Sequence, residues 1–395
     1  MTVAGFDFDV AIVGGGPAGA STALHLIGRE GIRRDRIVVV DKAKFPRDKP
    51  CAGAISQLGV DTLSALGIRV KVPFVSMQGV RVIARDVVGE THCAMGIVIR
   101  RVELDAQLLE EVRSAGASVR EGEGLTALAR IPGGFRITTS NDTFTSRFVA
   151  ACDGAGSTTR KLLGMREPER KGHLYVMETA VTPSDDGVRR GLIDFDLTVL
   201  DDGLAGYYWD FPTVIDGVRA VSRGIYHANF ERPQSPTAVK GALARALARR
   251  GLDIANVKLK PFSTRPYVRG SALVDHGVVL VGEAAGIDQT TGEGIAQALV
   301  MGGIAARHVA RALRTGLASF DAYTRAVRVS TIGRHMLQSA WLARRVYGRA
   351  GFPARRLLLR SDYAREAAMR WYHGQSLPYA VQLRLGLGLV TPALA

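Results

Sequence analysis

Cysteine is scarce in this 395-residue chain, and its three cysteines follow no binding pattern. Cys51, Cys93 and Cys152 are odd in number, far apart and free of any CxxC spacing, which argues against a disulfide framework and against a thiolate metal site. The eight histidines form no ligand cluster. We therefore expect reduced thiols and no metal.

Long apolar runs are also missing. No stretch is apolar for long enough to cross a bilayer, and the N-terminal segment enters a strand pattern without the basic region of a signal peptide. These absences predict a cytoplasmic protein. The length fits two joined domains and an appendage.

Acidic residues are outnumbered by basic ones, 37 to 52, which gives a net charge of +15. That charge permits nucleic-acid binding, but the chain has no helix-turn-helix, RNA-binding or zinc-finger signature, so we expect no nucleic-acid partner. The last 65 residues hold ten arginines and two acidic residues. Their apolar side chains, such as Trp341 and Trp371, alternate with arginine. This tail is interpreted as a solvated helical face or as a peripheral membrane contact; it could also meet an acidic protein.

The first chemical motif is a strand, a glycine turn and a helix. The run FDVAIV leads into Gly14-Gly15-Gly16-Pro17-Ala18-Gly19 and then into helix formers. Gly14 allows the turn, Gly16 lets a pyrophosphate approach the backbone, and Gly19 lets the helix pack on the strand. Ala18 lies in the same turn, where helix N–H groups face the phosphates. A second strand ends in Asp41, where a carboxylate accepts hydrogen bonds from an adenosine ribose.

Two later strand patterns also end in an acidic residue beside small ones. Strand-like residues 148–152 lead into Asp153 and Gly154, and strand-like residues 278–281 lead into Gly282 and Glu283. Ligands of open α/β sheets bind at such strand ends. The three segments, in this order, resemble the successive fingerprints of the p-hydroxybenzoate hydroxylase-type FAD fold across residues 8 to about 312.

That resemblance implies one non-covalently bound FAD and several contacts with it. Glu283 stands where the family usually has Asp, implied to hold the ribityl hydroxyls. Arg101, with Leu104 and Asp105, matches an Arg-x-x-Leu-Asp element whose arginine lies by the FAD phosphates; a surface helix arginine is the alternative. Leu125 falls where the family's backbone meets the adenine.

Two further segments resemble the geranylgeranyl reductase family, flavoenzymes that saturate isoprenoid double bonds. The first has the form YxWxFP. Strand alternation predicts that Tyr207, Trp209 and Phe211 lie on one face. Such a face is typical of an aromatic wall that binds an apolar substrate, or of a buried core strand. The second pairs the segment around Cys51 and Ala52 with the loop from Thr291 to Ile295.

In that loop, Gly292 and Gly294 allow a flavin to lie against the backbone, and Ile295 begins a helix whose N-terminus stabilises negative charge. The family match places Cys51 and Ala52 over the flavin through their backbone. Cys51, Tyr207 and Trp209 are the candidate catalytic residues, although a lone buried cysteine is more often a small hydrophobic residue.

The predicted fold is α/β (α+β overall), with a Rossmann-like FAD-binding domain, an inserted antiparallel β-sheet substrate domain and a C-terminal helical region. The FAD-binding domain takes residues 1–70, 95–165 and 270–325. The substrate domain takes residues 71–94 and 166–269, and the helical region takes residues 326–395.

The predicted function is reduction of C=C bonds in an isoprenoid or similar apolar substrate by hydride from reduced FAD. Only one GxGxxG is present, so electrons come from transiently bound NAD(P)H or from a carrier such as reduced ferredoxin, whose acidity would suit the basic surface. The alternative is a monooxygenase or halogenase of the same fold. Halogenases carry a related Trp-x-Trp-x-Ile-Pro element, of which the first Trp and the Ile are absent here. A non-enzymatic flavin-binding or membrane-docking protein is the third interpretation.

Overall fold

A computed structural model describes residues 5–390 except 86, 168–170, 229–233, 290–291, 349–350, 373 and 376. Two eight-stranded sheets form its framework. The strands are β1 (Phe8–Val13), β2 (Ile37–Asp41), β3 (Ala54–Ser56), β4 (Phe74–Ala84), β5 (Val87–Ile99), β6 (Ser118–Glu121), β7 (Leu125–Ile131), β8 (Gly134–Thr139), β9 (Thr143–Ala151), β10 (Gly172–Ala180), β11 (Leu192–Asp196), β12 (Gly206–Ile215), β13 (Val218–His227), β14 (Lys260–Thr264), β15 (Val274–Asp275) and β16 (Val278–Leu280).

Helices cover both sheets. They are α1 (Pro17–Gly28), α2 (Gln57–Ala65), α3 (Arg101–Ser114), α4 (Thr158–Leu162), α5 (Asp186–Arg189), α6 (Pro236–Ala248), α7 (Ile295–Thr315), α8 (Asp321–Val329), α9 (Thr331–Tyr347), α10 (Phe352–Arg360), α11 (Asp362–Tyr372) and α12 (Tyr379–Val390). The long helix α7 packs on α1 and α2, so the C-terminal half of the chain closes over the N-terminal βαβ unit.

The first sheet is the Rossmann-like part, with strand order β15-β16-β9-β1-β2-β6. Strands β16, β9, β1, β2 and β6 run parallel to one another. The last four residues of β1 and the first four of β2 are all buried, because helices cover both faces of a parallel sheet. The carboxyl ends of β1, β2, β9 and β16 therefore meet at one edge of this sheet.

The second sheet has the order β14-β10-β13-β12-β11-β4-β5-β3 and is antiparallel except where β11 pairs with β4. Helix α6 packs on one face of it. The other face carries Tyr207, Trp209 and Phe211 of β12 and meets side chains of α9, α10 and α11. The predicted fold class is thereby confirmed.

The predicted domain boundaries stay a prediction, and two segments differ from them. Strand β3 and the last residues of β5 pair with each other in the second sheet, although the predicted boundaries place residues 54–56 and 95–99 in the FAD-binding domain. The reason is that β5 pairs with β4 along its whole length, as far as Ile99. A domain boundary after residue 94 would therefore divide one continuous strand.

Candidate functional site

The glycine turn between β1 and α1 is shaped by close backbone contacts. Gly14 has φ +108°, and a Cβ there would lie 2.4 Å from the Cys152 carbonyl oxygen. A Cβ on Gly19 would lie 1.9 Å from the Gly14 carbonyl oxygen. Both positions therefore require glycine. At Gly16 a Cβ would meet only side-chain ends, the nearest being Arg47 Nη2 at 3.3 Å, so this space is open to a ligand.

Asp41 lies at the end of β2, beside the turn. Its carboxylate accepts hydrogen bonds from the backbone N–H of Gly15 at 2.7 Å and of Ala43 at 2.8 Å. The Glu123 N–H donates to the Asp41 carbonyl oxygen at 2.8 Å, which brings the start of β7 alongside. Leu125 opens β7 and is buried. These contacts fix Asp41 and Leu125 near the turn, and their predicted roles toward ribose and adenine stay predictions.

Arg101 is buried next to the glycine turn. Its guanidinium Nε and Nη2 donate to the two Asp105 carboxylate oxygens at 2.6 Å each, and Arg47 Nη2 lies 3.0 Å from the same carboxylate. Burial opposes the charge of Arg101, but Asp105 outweighs it and raises the arginine pKa. The structure thus places Arg101 inside the site rather than on an exposed helix surface, because Asp105 lies one turn later on the same face of α3.

The second and third motifs, which follow β9 and β16, lie next to the glycine turn and α1. Gly282 has φ +63°, and its Cβ would come within 2.8 Å of Ala18 Cβ, so the end of β16 packs directly on α1. Asp153 binds its own turn: it accepts hydrogen bonds from Ser157 Oγ at 2.6 Å and from Thr159 N at 2.8 Å. Gly154, at φ +80°, lets this turn form. The described contacts of Asp153 are therefore structural, and its predicted contact with FAD stays a prediction.

Glu283 faces the space between the two sheets. Its Oε2 accepts the Arg265 backbone N–H at 3.0 Å, and Gly294 lies close to its Oε1. Burial raises the pKa of Glu283 to about 7, although Lys49 counteracts part of that effect. A carboxylate with so few donors around it has acceptor capacity left for hydroxyl groups.

The predicted flavin loop meets the second sheet at Gly292. This residue has φ +78°, and a Cβ there would lie 2.6 Å from Tyr207 Oη. Gly294 precedes α7, which begins at Ile295. Glu293 is buried between them and accepts a hydrogen bond from Gln297 Nε2 at 2.7 Å. Thr291 lies outside the described residues.

Cys51 and Ala52 belong to a loop opposite this region. The Cys51 sulfur accepts the Gly53 N–H at 3.4 Å and also interacts with the Arg101 guanidinium. Lys49 precedes it, with its Nζ 4.2 Å from the Phe262 ring centroid. Burial, followed by repulsion from Arg101, lowers the pKa of Lys49 to about 8. No local signature in the sequence marks Lys49 as part of the site.

Tyr207, Trp209 and Phe211 of β12 lie on one face, as their alternation predicts, and Tyr208 lies on the other, against α6. Phe195 sits among them, with its ring centroid 5.0 Å from Tyr207 and 5.4 Å from Phe211. Gly224 faces Trp209 across the strand pair and leaves room for the indole, since a Cβ there would lie 2.3 Å from the ring. Tyr207, Trp209 and Phe211 are 7%, 2% and 3% exposed, so this face is a packed interior surface.

The C-terminal helices cover that face. Val346 of α9, Ala354 of α10 and Met369 of α11 are buried against it, with Tyr347 and Tyr372 alongside. Among the groups that raise the pKa of Tyr207, after burial, are Tyr347 and Tyr372. From its sequence, this tail is interpreted as a solvated face or a membrane face. In the structure, much of the tail packs instead against the second sheet. Its apolar residues at helical spacing could have signalled this packing.

The space over Gly16 fits a dinucleotide phosphate. It is bounded by two guanidinium groups and backbone N–H groups, and the three strand ends converge on it. The sequence of residues 7–291 also matches the model of the FAD binding domain family. The chain belongs to that family. It is therefore an FAD-binding protein, and the cofactor contacts of the first turn and the strand ends stay predictions.

Relatives of this FAD-binding protein include reductases. An uncharacterised protein of Methanosarcina barkeri is 26% identical over 78% of this chain and 76% of its own length. The chloroplastic geranylgeranyl diphosphate reductase of Oryza sativa subsp. japonica is 29% identical over 83% of this chain and 70% of its own length. The predicted resemblance to geranylgeranyl reductases is confirmed.

Two solved structures share the fold. A geranylgeranyl bacteriochlorophyll reductase-like protein from Thermoplasma acidophilum superposes with a TM-score of 0.76 at 21% identity, covering 96% of this chain and 99% of its own. The flavin-dependent brominase Bmp2 superposes with a TM-score of 0.70 at 16% identity, covering 96% and 98%. The fold is thus common to reductases and halogenases.

Neither a membrane-spanning helix nor a metal site is found in the part of the chain that the structure describes. No described helix is both long enough and apolar enough to span a membrane. No group of three or more His, Cys, Asp or Glu among the described residues is placed to hold a metal ion. The expectations about compartment and metal stay predictions.

Proposed function

We propose that this protein reduces C=C bonds of an isoprenoid or similar apolar substrate. The contact between Tyr207 and Gly292 carries the proposal, because it sets the aromatic face of β12 directly against the loop predicted to face the flavin. The similarity to geranylgeranyl diphosphate reductases supports it.

The residues divide the work between cofactor and substrate. Reduced FAD supplies hydride when bound. The glycine turn, Arg101 and Asp41 would hold its phosphates and adenosine, and Glu283 would accept hydrogen bonds from its ribityl chain. Tyr207, Trp209 and Phe211 would orient the substrate and exclude water.

The proton for the second carbon needs a donor near that face. Tyr207 is placed for this role because its hydroxyl lies at the loop. A tyrosine carries its proton at neutral pH; burial raises the pKa of Tyr207 well above the ordinary value, which makes it a weaker acid. Trp209 adds an indole N–H that has no hydrogen-bond partner among the described residues. It is a second polar group for orienting a substrate.

The electron donor is part of the proposal. NAD(P)H bound transiently, or a reduced acidic carrier such as ferredoxin, would supply electrons, and the net charge of +15 favours encounter with an acidic carrier. The rate of flavin reduction by each donor tests this point. A carrier dependence that disappears at high salt would identify the electrostatic route.

The reaction is tested without oxygen. Protein reduced anaerobically is mixed with a polyprenyl substrate, and the absorbance of oxidised flavin and the product mass are followed. We expect reoxidation on substrate addition and a product heavier by two hydrogen atoms. Reoxidation that occurs only with oxygen would refute the reductase proposal.

The alternative is a flavin-dependent monooxygenase or halogenase acting on a secondary metabolite. The structural similarity to the brominase Bmp2 and the partial likeness of residues 207–212 to the halogenase element favour it. The same mixture, run with labelled oxygen and with bromide or chloride, separates the two functions. Labelled oxygen or a halogen atom in the product would establish the alternative.

A further inference from the structure

A cationic cavity lies beside the candidate flavin site. It encloses about 610 Å³ between the segment after β9, the loop after β14 and helix α9. Its charged lining includes Arg160, Lys171, Arg265 and Arg344, and we call it the junction cavity. No residue of the glycine turn lines it, so it is separate from the space assigned to the FAD phosphates.

Positive charge exceeds negative charge in this lining. Three cations converge on one carboxylate, that of Glu167: Arg265 Nη2 lies 2.9 Å from it, Lys171 Nζ 3.0 Å and Arg160 Nε 3.8 Å. Glu167 is 36% exposed, whereas the side chains of Arg160 and Arg265 are 5% and 3% exposed. The carboxylate is thus the most solvated member of a group whose guanidiniums are buried.

The second lining carboxylate is already engaged. Asp288 accepts hydrogen bonds from Tyr226 Oη at 2.6 Å and from Thr264 Oγ1. Burial, followed by repulsion from Arg265, lowers the pKa of Arg160, which is the sign expected for two guanidiniums with too little negative charge between them.

Several buried donors here remain unused. Arg265 Nε and Nη1, Arg160 Nε and the Tyr267 hydroxyl have no hydrogen-bond partner among the described residues. Buried polar groups in folded proteins are almost always paired, so a cluster of unpaired donors indicates a missing acceptor. A group with several oxygen atoms and more than one negative charge would satisfy both the charge and the donors.

We infer that the junction cavity binds the phosphate or diphosphate group of an anionic ligand. Guanidinium groups match phosphate oxygens in planar pairs, and Lys171 adds a point charge. The volume exceeds that of a diphosphate alone, so the cavity has room for a ligand that extends beyond its phosphates. It is either a nicotinamide dinucleotide or a phosphorylated apolar substrate, which share this chemistry.

Calorimetry on the FAD-loaded full chain, with inorganic pyrophosphate as the probe, tests the site. Arg265→Gln removes a lining guanidinium, and Ala340→Trp narrows the cavity from α9 without changing its charge. We expect each to weaken pyrophosphate binding at least tenfold while the flavin absorbance stays unchanged. Arg113→Gln, an exposed arginine far along α3, is the matched control and should bind as the wild type does.

Competition identifies the source of the phosphate. Displacement of pyrophosphate by NADPH and NADH indicates a dinucleotide, and displacement by a polyprenyl diphosphate but not by the corresponding alcohol indicates a substrate head group. Either result supports the cavity. Failure of the wild type to bind pyrophosphate, or equal binding in both cavity variants, overturns the inference. Because no turnover is measured, this result is independent of the reaction proposed for the flavin.

Discussion

At the scale of single residues, Gly16 differs from its neighbours in the turn. Gly14 and Gly19 are bounded by backbone atoms, so a larger side chain at either would distort the fold, whereas Gly16 is bounded by flexible side-chain ends. Gly16→Val should therefore fold but bind FAD more weakly, because the valine side chain would occupy the space that the FAD phosphates need. We expect the dissociation constant for FAD to rise at least tenfold. Gly156→Val is the control, since nothing lies within 4 Å of that position. Full flavin content in Gly16→Val, read from the 450 nm absorbance, would contradict the site.

Glu283 gives FAD binding a pH dependence. Its pKa in the free protein is about 7, and its predicted partners, the ribityl hydroxyls of FAD, would donate hydrogen bonds to the ionised form. Binding then has to release a proton below pH 7, so the dissociation constant should rise by up to about tenfold for each pH unit below 7 and stay level above it. Glu283→Gln should bind more weakly at pH 8 but without this slope. A wild-type titration that is flat from pH 5.5 to 8 would rule out the carboxylate contact.

The residues that sequence reasoning found are those with local signatures. Gly14, Gly19 and Asp41 were predictable because a βαβ turn fixes their spacing along the chain. Arg265 and Tyr226 were not, because they reach the site through pairing of distant strands and no adjacent motif marks them. For Asp153, the local motif was sufficient to find the residue but not to predict its contacts. In the structure, its described hydrogen bonds hold its own turn together.

At the scale of elements, the second sheet and α6 enclose a buried ionic network. Asp210 accepts hydrogen bonds from Arg223 and from Arg250, and Asp196 pairs with Arg250 at 2.9 Å. Asp194 is the poorly matched member: its nearest cation is Arg81 at 3.7 Å, and burial raises its pKa to about 7. The network therefore carries one carboxylate whose charge is costly.

Asp194 should make stability fall as pH rises. The folded chain holds a proton on Asp194 that the unfolded chain, with a pKa near 3.8, has lost, so the free energy of unfolding drops between about pH 4 and 7 and is level above. Asp194→Asn removes this term. Its stability relative to wild type should be higher at pH 8 than at pH 5 by on the order of 1–3 kcal/mol, from about 1.4 kcal/mol per pKa unit. Urea unfolding measures this, with exposed Asp186→Asn as control; an equal difference at both pH values would contradict it.

The C-terminal helices carry a second, outward-facing set of apolar residues. Trp341 and Phe352 are 53% and 65% exposed, and Arg345 stacks on the Trp341 ring at 3.5 Å. Such pairs suit a membrane surface with anionic lipid. We expect flotation with anionic vesicles, weaker flotation with neutral ones, and loss of both in a Trp341→Ser, Phe352→Ser double variant.

Substitution is the appropriate test here because deletion of residues 331–395 would uncover the aromatic face of the second sheet. Val218→Ser, at an exposed apolar residue of β13, is the control and should float as the wild type does. Equal flotation on neutral and anionic vesicles would show that these arginines do not bind anionic lipid and form an ordinary solvated face.

At the scale of the whole molecule, three parts of the chain meet at Tyr207. The FAD-binding part contributes Gly292, the second sheet contributes Tyr207 itself, and the C-terminal helices contribute Tyr347 and Tyr372. The fold class was predictable because its motifs are periodic and local. The lid over β12 was not, since a basic helical tail has the same pattern whether its apolar side covers a sheet or faces a membrane.

This convergence predicts that the aromatic face and the flavin site can be separated by mutation. Trp209→Ala removes a side chain of the size that buries about 150–250 Å², so substrate contact should be lost while FAD binding persists, because no phosphate contact is altered. In anaerobic mixing, reoxidation by a polyprenyl substrate should slow at least tenfold. Trp209→Phe retains the ring and the packing under α9–α11, and should recover most of the rate. A Trp209→Ala protein that keeps its flavin, melts near the wild-type temperature and reoxidises at the wild-type rate would show that the substrate binds elsewhere.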